Sequence, residues 1–385
     1  MSKHDFAPAE FADRLQRLRA SIGAAGLDWL LVLHPVSIRW LIGQDTKSYT
    51  VFQCLPVSAK PGKLTIFTRG TERAEFMADT MAEAFRFYGG AEPEDPMQAF
   101  ARFADDLGLR NARVGMEVPG SYLQPSHYVA LKAMLGDALV QDSSSLCTTL
   151  RAVKSPAELD YVRRAAEISA LALQALIGAV AEGRSELELA AAAYHALLSN
   201  GSGLPASTMN LMTGERSAFA LGSPTERKMQ RGDTGLVEIG AARRRYTSTL
   251  GRQWTLGPAS KRLRDIHAVI LEASDACLAE MRAGARAIAA HEASTRVIAR
   301  AGLDQYRAHT TGYGMAPGFP PSWGESPNLF GGSNDVLRAG MVVSVEPAVF
   351  LPEEGLGVRL IDNVIVTDTG FELLSCTPRD LIQVG

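Results

Sequence analysis

Two glutamates lie inside apolar, strand-like runs: Glu238 in GLVEIGA and Glu346 in MVVSVEPAV. A carboxylate among Val and Ile is costly to bury unless it is paired, metal-bound or protonated. Strand alternation that turns the side chain to solvent is the competing reading. The two readings stand level for Glu238. For Glu346, flanked by Val342, Val343 and Val345 and followed by Pro347, burial is favoured. A third feature is HTTGYGMAPG, His309 to Gly318, where Tyr313 stands between two glycines. It reads as a glycine-rich turn, and His309 beside it can relay a proton near neutral pH. The spacing of GYGMAPG does not suit a dinucleotide loop, and neither a Walker sequence nor a nucleophile elbow occurs. His34, His127, His195, His267 and His291 are scattered without an HExxH pair and read as structural or surface residues.

The elements that must hold these residues fall into two parts. At 385 residues the chain exceeds one ordinary core, so two domains are expected. Phe11, Leu15, Leu18 and Ile22 sit at helical spacing. Strand candidates follow at 28–34, 63–68, 112–117 and 138–143, with helices at 70–84 and 125–135, which implies an α/β domain. The pattern changes at RAVKSPAELDYV, where Ser155, Pro156 and Glu158 mark a helix start. Beyond two helical stretches come long, partly alternating strands in GLVEIGA, RRYTSTLGRQWTL, MVVSVEPAV, GVRLIDNVIVTD and FELLS, with helices at 259–283 and 286–301 between them. This predicts an antiparallel sheet covered by helices, an α+β domain. The expected division is 1–153 and 154–385.

Composition excludes several classes. A net charge of −3 gives no reason to expect nucleic acid or an anionic membrane as partner. No stretch of about 18 apolar residues is present, and the N-terminus lacks the apolar run of a signal peptide. Cys54, Cys147, Cys277 and Cys376 show no CxxC spacing, which suits a reducing cytoplasm.

The ordered phrases VKSPAE, RGDTGLVEIGA with RRYTSTLGR, HTTGYG, AGMVVSVEPAV and GVRLIDNVIV together resemble the creatinase, prolidase and aminopeptidase P family. The resemblance implies a pita-bread C-terminal domain behind a smaller α/β domain. Catalytic members hold two metal ions with Asp, Asp, His, Glu and Glu. At those places this chain carries Glu238, Thr249, Tyr313, Glu346 and Ile361, so two ligands of five are kept. No metal and no other cofactor is expected. Creatinase, a metal-free member, also reads Gly-Tyr-Gly, but its catalytic histidine falls on Leu221 and an active-site glutamate on Gly251. A further family histidine falls on Pro320. VEIGA with RRY, GYGMAPGFPPSWGES, TPRDLI and GQDTKSY resemble the ectoine hydrolase branch.

The resemblance therefore implies a metal-independent hydrolase that cleaves a non-peptide C–N bond in a small nitrogenous zwitterion. A lyase acting on a zwitterion such as dimethylsulfoniopropionate, and a degenerate peptidase-like binding protein, are the alternatives. Glu238 is the expected nucleophile or base, and Glu346 its partner and cation anchor. Tyr313 is expected to donate to a developing oxyanion and His309 to relay a proton. Arg359 is expected to fork onto a substrate carboxylate, with Trp323 also binding substrate. Lys47 and Tyr49 are expected to reach a neighbour's pocket across a homodimer interface.

Overall fold

An amphipathic helix, α1 (Pro8–Ala24), starts the fold with Phe11, Leu18 and Ile22 buried along one face. The computed structural model describes residues 2–385, and the chain divides into two units at the Arg151–Ala152 boundary. The first unit continues through β1 (Trp29–Val32), α2 (Pro35–Ile42), β2 (Leu55–Ser58), β3 (Thr65–Arg69), α3 (Arg73–Ala78) and β4 (Ala84–Tyr88). It ends with α4 (Pro96–Asp106), β5 (Val114–Met116), α5 (Pro125–Leu135), β6 (Leu139–Asp142) and α6 (Ser144–Ala152). Its main sheet runs β2-β1-β5-β6, and β3 pairs with β4 in parallel. This is an α/β unit. The single helix expected over 70–84 is cut short at Ala78 and a strand replaces its end. Thr80 Oγ1 and the Met81 N–H both donate to the Ile42 carbonyl, so contacts with the end of α2 take the groups a longer helix would need.

The second unit opens with α7 (Pro156–Ala179) and α8 (Glu186–Ser199). Each begins with a capping box, Ser155 with Glu158 and Ser185 with Glu188, in which hydroxyl and carboxylate each accept from the other residue's backbone N–H. Then come β7 (Asn210–Thr213), β8 (Thr234–Arg243), β9 (Tyr246–Leu256), α9 (Lys261–Leu278), α10 (Ala287–Arg300), β10 (Gly312–Phe319) and β11 (Ser322–Leu329). The chain closes with β12 (Val342–Val345), β13 (Ala348–Leu351), β14 (Leu356–Arg359), β15 (Asp362–Val366), β16 (Phe371–Leu373) and β17 (Ile382–Val384). The sheet path is β16-β15-β12-β10-β9-β8-β7, antiparallel along that path, with β11 on β10 and β17 parallel to β9. Ala165, Ile168, Leu173 and Leu176 of α7 pack on Val237, Ile239, Leu250 and Trp254. Leu263, Ile266 and Ile270 of α9 pack with Val349, Leu351 and Val358. The result is the α+β pita-bread arrangement. Among the described residues, no helix is long and apolar enough to cross a membrane.

The expected turn at GYGMAPG is a strand. β10 pairs with both β11 and β12, and Tyr313 lies opposite Asn328 and Ser344. The flanking glycines serve close approach. A Cβ on Gly312 would lie 2.0 Å from the Ser344 carbonyl oxygen, and one on Gly314 2.4 Å from that of Ser326.

Candidate functional site

Strand register assembles the centre of the second unit. β8 sets Glu238 opposite Asn210 on β7 and opposite Gly251 on β9. β13 and β14 form a hairpin that places Arg359 opposite Ala348, two residues beyond Glu346. Both carboxylates are thereby buried, Glu238 at 5% and Glu346 at 0% exposure, which removes the solvent-facing reading. The Arg359 guanidinium lies between them. Its NH1 is 3.0 Å from Glu238 Oε2, and its NH2 donates to Glu346 Oε2. Arg359, expected to fork onto a substrate carboxylate, lines the pocket and in this structure pairs with two protein carboxylates. One cation between two buried anions is the arrangement that limits their desolvation cost.

The two glutamates differ in what is left over. Glu346 Oε1 accepts from Ser344 Oγ at 2.7 Å, and its Oε2 takes Arg359 with His309 Nδ1 at 3.7 Å. Both of its oxygens are engaged. Glu238 uses Oε2 for Arg359 and for Asn210 Nδ2 at 2.8 Å, which leaves Oε1 toward the pocket. Burial pushes the Glu238 carboxyl up; Arg359 opposes this, and the charge of Glu346 adds to the rise. Burial also works to raise Glu346, but Arg359, His309 and the Ser344 bond outweigh it and hold that carboxyl below the ordinary range. Burial, then Glu346 and Glu238, push the Tyr313 phenol up, so it stays protonated. Burial alone would lower Arg359, yet the two carboxylates raise it and keep it charged.

Glu238, His309, Tyr313, Trp323 and Arg359 line one pocket of about 460 Å³. Trp323 Nε1 donates to the Tyr313 hydroxyl at 3.2 Å, so the phenol oxygen accepts and its own proton is available. His309 Nδ1 donates to the Thr310 carbonyl at 2.9 Å, and its ring stands edge-on to that of Tyr313 at 6.4 Å. Lys47 and Tyr49 belong to the first unit. Lys47 is exposed, and the Tyr49 ring meets Tyr122 edge-on at 6.3 Å. The scattered histidines hold local structure where contacts are defined: His34 Nδ1 accepts from the Val36 N–H to cap α2, and His291 Nδ1 bonds Thr311 Oγ1 at 2.8 Å. Sequence reasoning missed Asn210 and Ser344. It also missed the buried pair between Lys154 and the pocket residue Glu325, 2.6 Å apart. No spacing pattern marks any of the three. Only the pairing of β7 with β8 puts Asn210 beside Glu238.

Residues 160–368 match metallopeptidase family M24, and residues 14–153 match the creatinase/prolidase N-terminal domain. The chain belongs to the M24 family. It is 30% identical over 372 residues to the Xaa-Pro dipeptidase of Pyrococcus furiosus, covering 96% of this chain and 99% of that one. It is 25% identical to the ectoine hydrolase of Halomonas elongata over 98% of both chains. Among solved structures, dipeptidase PepE from Mycobacterium ulcerans superposes with a TM-score of 0.86 at 26% identity, covering 98% of this chain and 99% of that one. The Xaa-Pro dipeptidase from Bacillus anthracis superposes at 0.83 and 25% identity, covering 97% and 100%.

These likenesses overturn the expected reaction. A hydrolase of non-peptide C–N bonds in a zwitterion, with its lyase and binding-protein alternatives, does not stand against full-length similarity to Xaa-Pro dipeptidases. The relatives it matches over their full length are of peptidase type, and the family is one of peptidases. This chain's donor set nonetheless does not fit the two metal ions the family name implies. Thr249 Oγ1 is bonded to Asn363, Tyr313 presents a phenol held protonated, and Ile361 presents carbon. The Ile361 side chain lies over Gly251, where an added Cβ would come within 2.5 Å of its Cγ1. Arg359 fills the gap between the two carboxylates that are kept. Among the described residues, no group of three or more His, Cys, Asp or Glu is placed to hold a metal ion.

Proposed function

We propose that this chain hydrolyses the peptide bond of a dipeptide-sized substrate, Xaa-Pro dipeptides included, without a metal ion, and that Arg359 supplies the fixed positive charge at the centre. The observation that carries this reading is the asymmetry of the carboxylates: Glu346 is engaged at both oxygens, while Glu238 keeps Oε1 toward the pocket. Glu346 then acts as the anchor that holds Arg359. Glu238, its carboxyl raised by burial, acts as general base. Water gives a proton to Glu238 Oε1 while its oxygen bonds to the scissile carbonyl carbon. Tyr313 donates its O–H to the oxyanion that forms. The C–N bond then breaks and the proton held by Glu238 passes to the departing nitrogen, giving one carboxylic acid and one amine. His309 lines the same pocket, with its ring 6.4 Å from that of Tyr313, and relays protons there. A pocket of about 460 Å³ suits a molecule of dipeptide size.

Homodimerisation, with Lys47 and Tyr49 serving a neighbour's pocket, is a second part of the proposal; Lys47 is exposed and so available for it. A cytoplasmic location is a third, supported by unpaired Cys54, Cys147, Cys277 and Cys376. The test of the main reading is amine release from a panel of dipeptides with and without a proline at the second position. Turnover that Glu238→Gln abolishes is expected. A folded protein that turns over none of the panel would overturn the reading.

A further inference from the structure

Large apolar side chains are exposed at several places on this chain, and each is unremarkable by itself. Leu221 differs. It is 65% exposed and, among the described residues, is the one large exposed aliphatic or aromatic side chain that also lines the Glu238 pocket. It is held there by the residues that follow it. The Gly222 N–H donates to Asn210 Oδ1 at 3.2 Å, and the Gly222 carbonyl accepts from the Leu211 N–H at 3.0 Å. Gly222 sits so close to β7 that an added Cβ would lie 2.7 Å from Met212 Cγ. One residue further on, the Ser223 carbonyl accepts from Arg216 NH2 at 2.8 Å. A segment fastened at two consecutive residues does not leave its neighbour exposed by slackness. The amide that fixes Gly222 is also the one that bonds Glu238, so the wall and the base share a strut in Asn210.

We infer that Leu221 forms an apolar subsite of this pocket, which selects an apolar side chain on the substrate and is covered when that side chain binds. The inference rests on the reading of the pocket as a peptide-hydrolysing site. It adds the chemical class of one substrate side chain, and it makes Asn210 the positioning residue that sets the distance between subsite and base.

The test is equilibrium binding of dipeptide isosteres whose amide is replaced by CH2–NH, with Gly, Ala or Leu at each position in turn. At one position the wild-type protein should prefer Leu over Gly by about tenfold, the scale of burying one aliphatic side chain. Leu221→Ala should reduce that preference to within about threefold and Leu221→Asp should abolish it. Leu221 is exposed, so folding is not at stake in either variant. Asn210→Ala should weaken the same preference and raise amide hydrogen exchange across residues 219–223. Preference retained in both Leu221 variants would overturn the inference. Binding preference without any turnover would overturn the hydrolase reading and leave the subsite standing. Turnover with no side-chain preference would do the reverse.

Discussion

Each unit buries a glutamate beside an arginine, and the two clusters do opposite things. In the first unit Glu117, 2% exposed, accepts from the Leu33 and His34 N–H groups through Oε2 and from Ser37 Oγ through Oε1. Arg151 donates to the same Ser37 hydroxyl. That carboxylate ties β5 to the start of α2 and has no oxygen over. In the second unit Glu346 is equally closed, but Glu238 is not. Burial of a carboxylate therefore marks a functional site only where an oxygen is left facing a cavity. The backbone N–H partners of Glu117 also explain why it tolerates burial with fewer charges nearby.

The strongest way to break this comparison is to neutralise the base. Glu238→Gln should lower kcat/KM by about 10²–10⁴ with little change in unfolding midpoint. Glu117→Gln should leave kcat/KM alone and cost about 1–3 kcal/mol in urea unfolding. Equal effects on activity would end the distinction. Next, Arg359→Leu leaves two buried carboxylates facing each other and should cost about 3–5 kcal/mol of stability. The double variant with Glu346→Gln should recover part of it. Tyr313→Phe should reduce kcat by about 10²–10³ with KM nearly unchanged if the phenol serves the transition state. A change in KM alone would make it a packing residue.

The smallest effect is in pH dependence, and its sign differs between the clusters. The carboxyl of Glu346 is held below its unfolded value of about 4.3. Its contribution to stability is thus full above that pH and is lost as pH falls through the folded value. For Glu117, burial raises the carboxyl above its unfolded value, against the pull of Arg151 and Ser37. The folded state then holds the proton longer, and stability falls as pH rises from the unfolded value through the folded one. Urea unfolding across acid pH should show the gap between wild type and Glu346→Gln closing on acidification. The gap for Glu117→Gln should move the other way, and parallel behaviour would contradict the assignment.

Much of this was legible in the residues. Ser155, Pro156 and Glu158 announced α7 because a capping box is local chemistry. The family and its fold followed from ordered phrases, and Glu238, Tyr313, His309 and Trp323 do line one pocket. What was hidden depends on register. Arg359 stands 13 residues after Glu346, and nothing in that interval says that the β13–β14 hairpin folds the guanidinium back between two glutamates. Tyr313 read as part of a turn because glycines suggest turns, whereas here they admit the backbones of β11 and β12. Asn210 gave no signal, since a lone amide in MNLMT gains meaning only from its place opposite Glu238.

The central claim is that an internal arginine organises the carboxylates in place of metal ions. Its most direct test is the rate of dipeptide hydrolysis before and after exhaustive chelation, with metal content measured on the same samples. An unchanged rate and substoichiometric metal throughout are expected. A rate that collapses on chelation and returns with stoichiometric uptake of a divalent ion would contradict the claim.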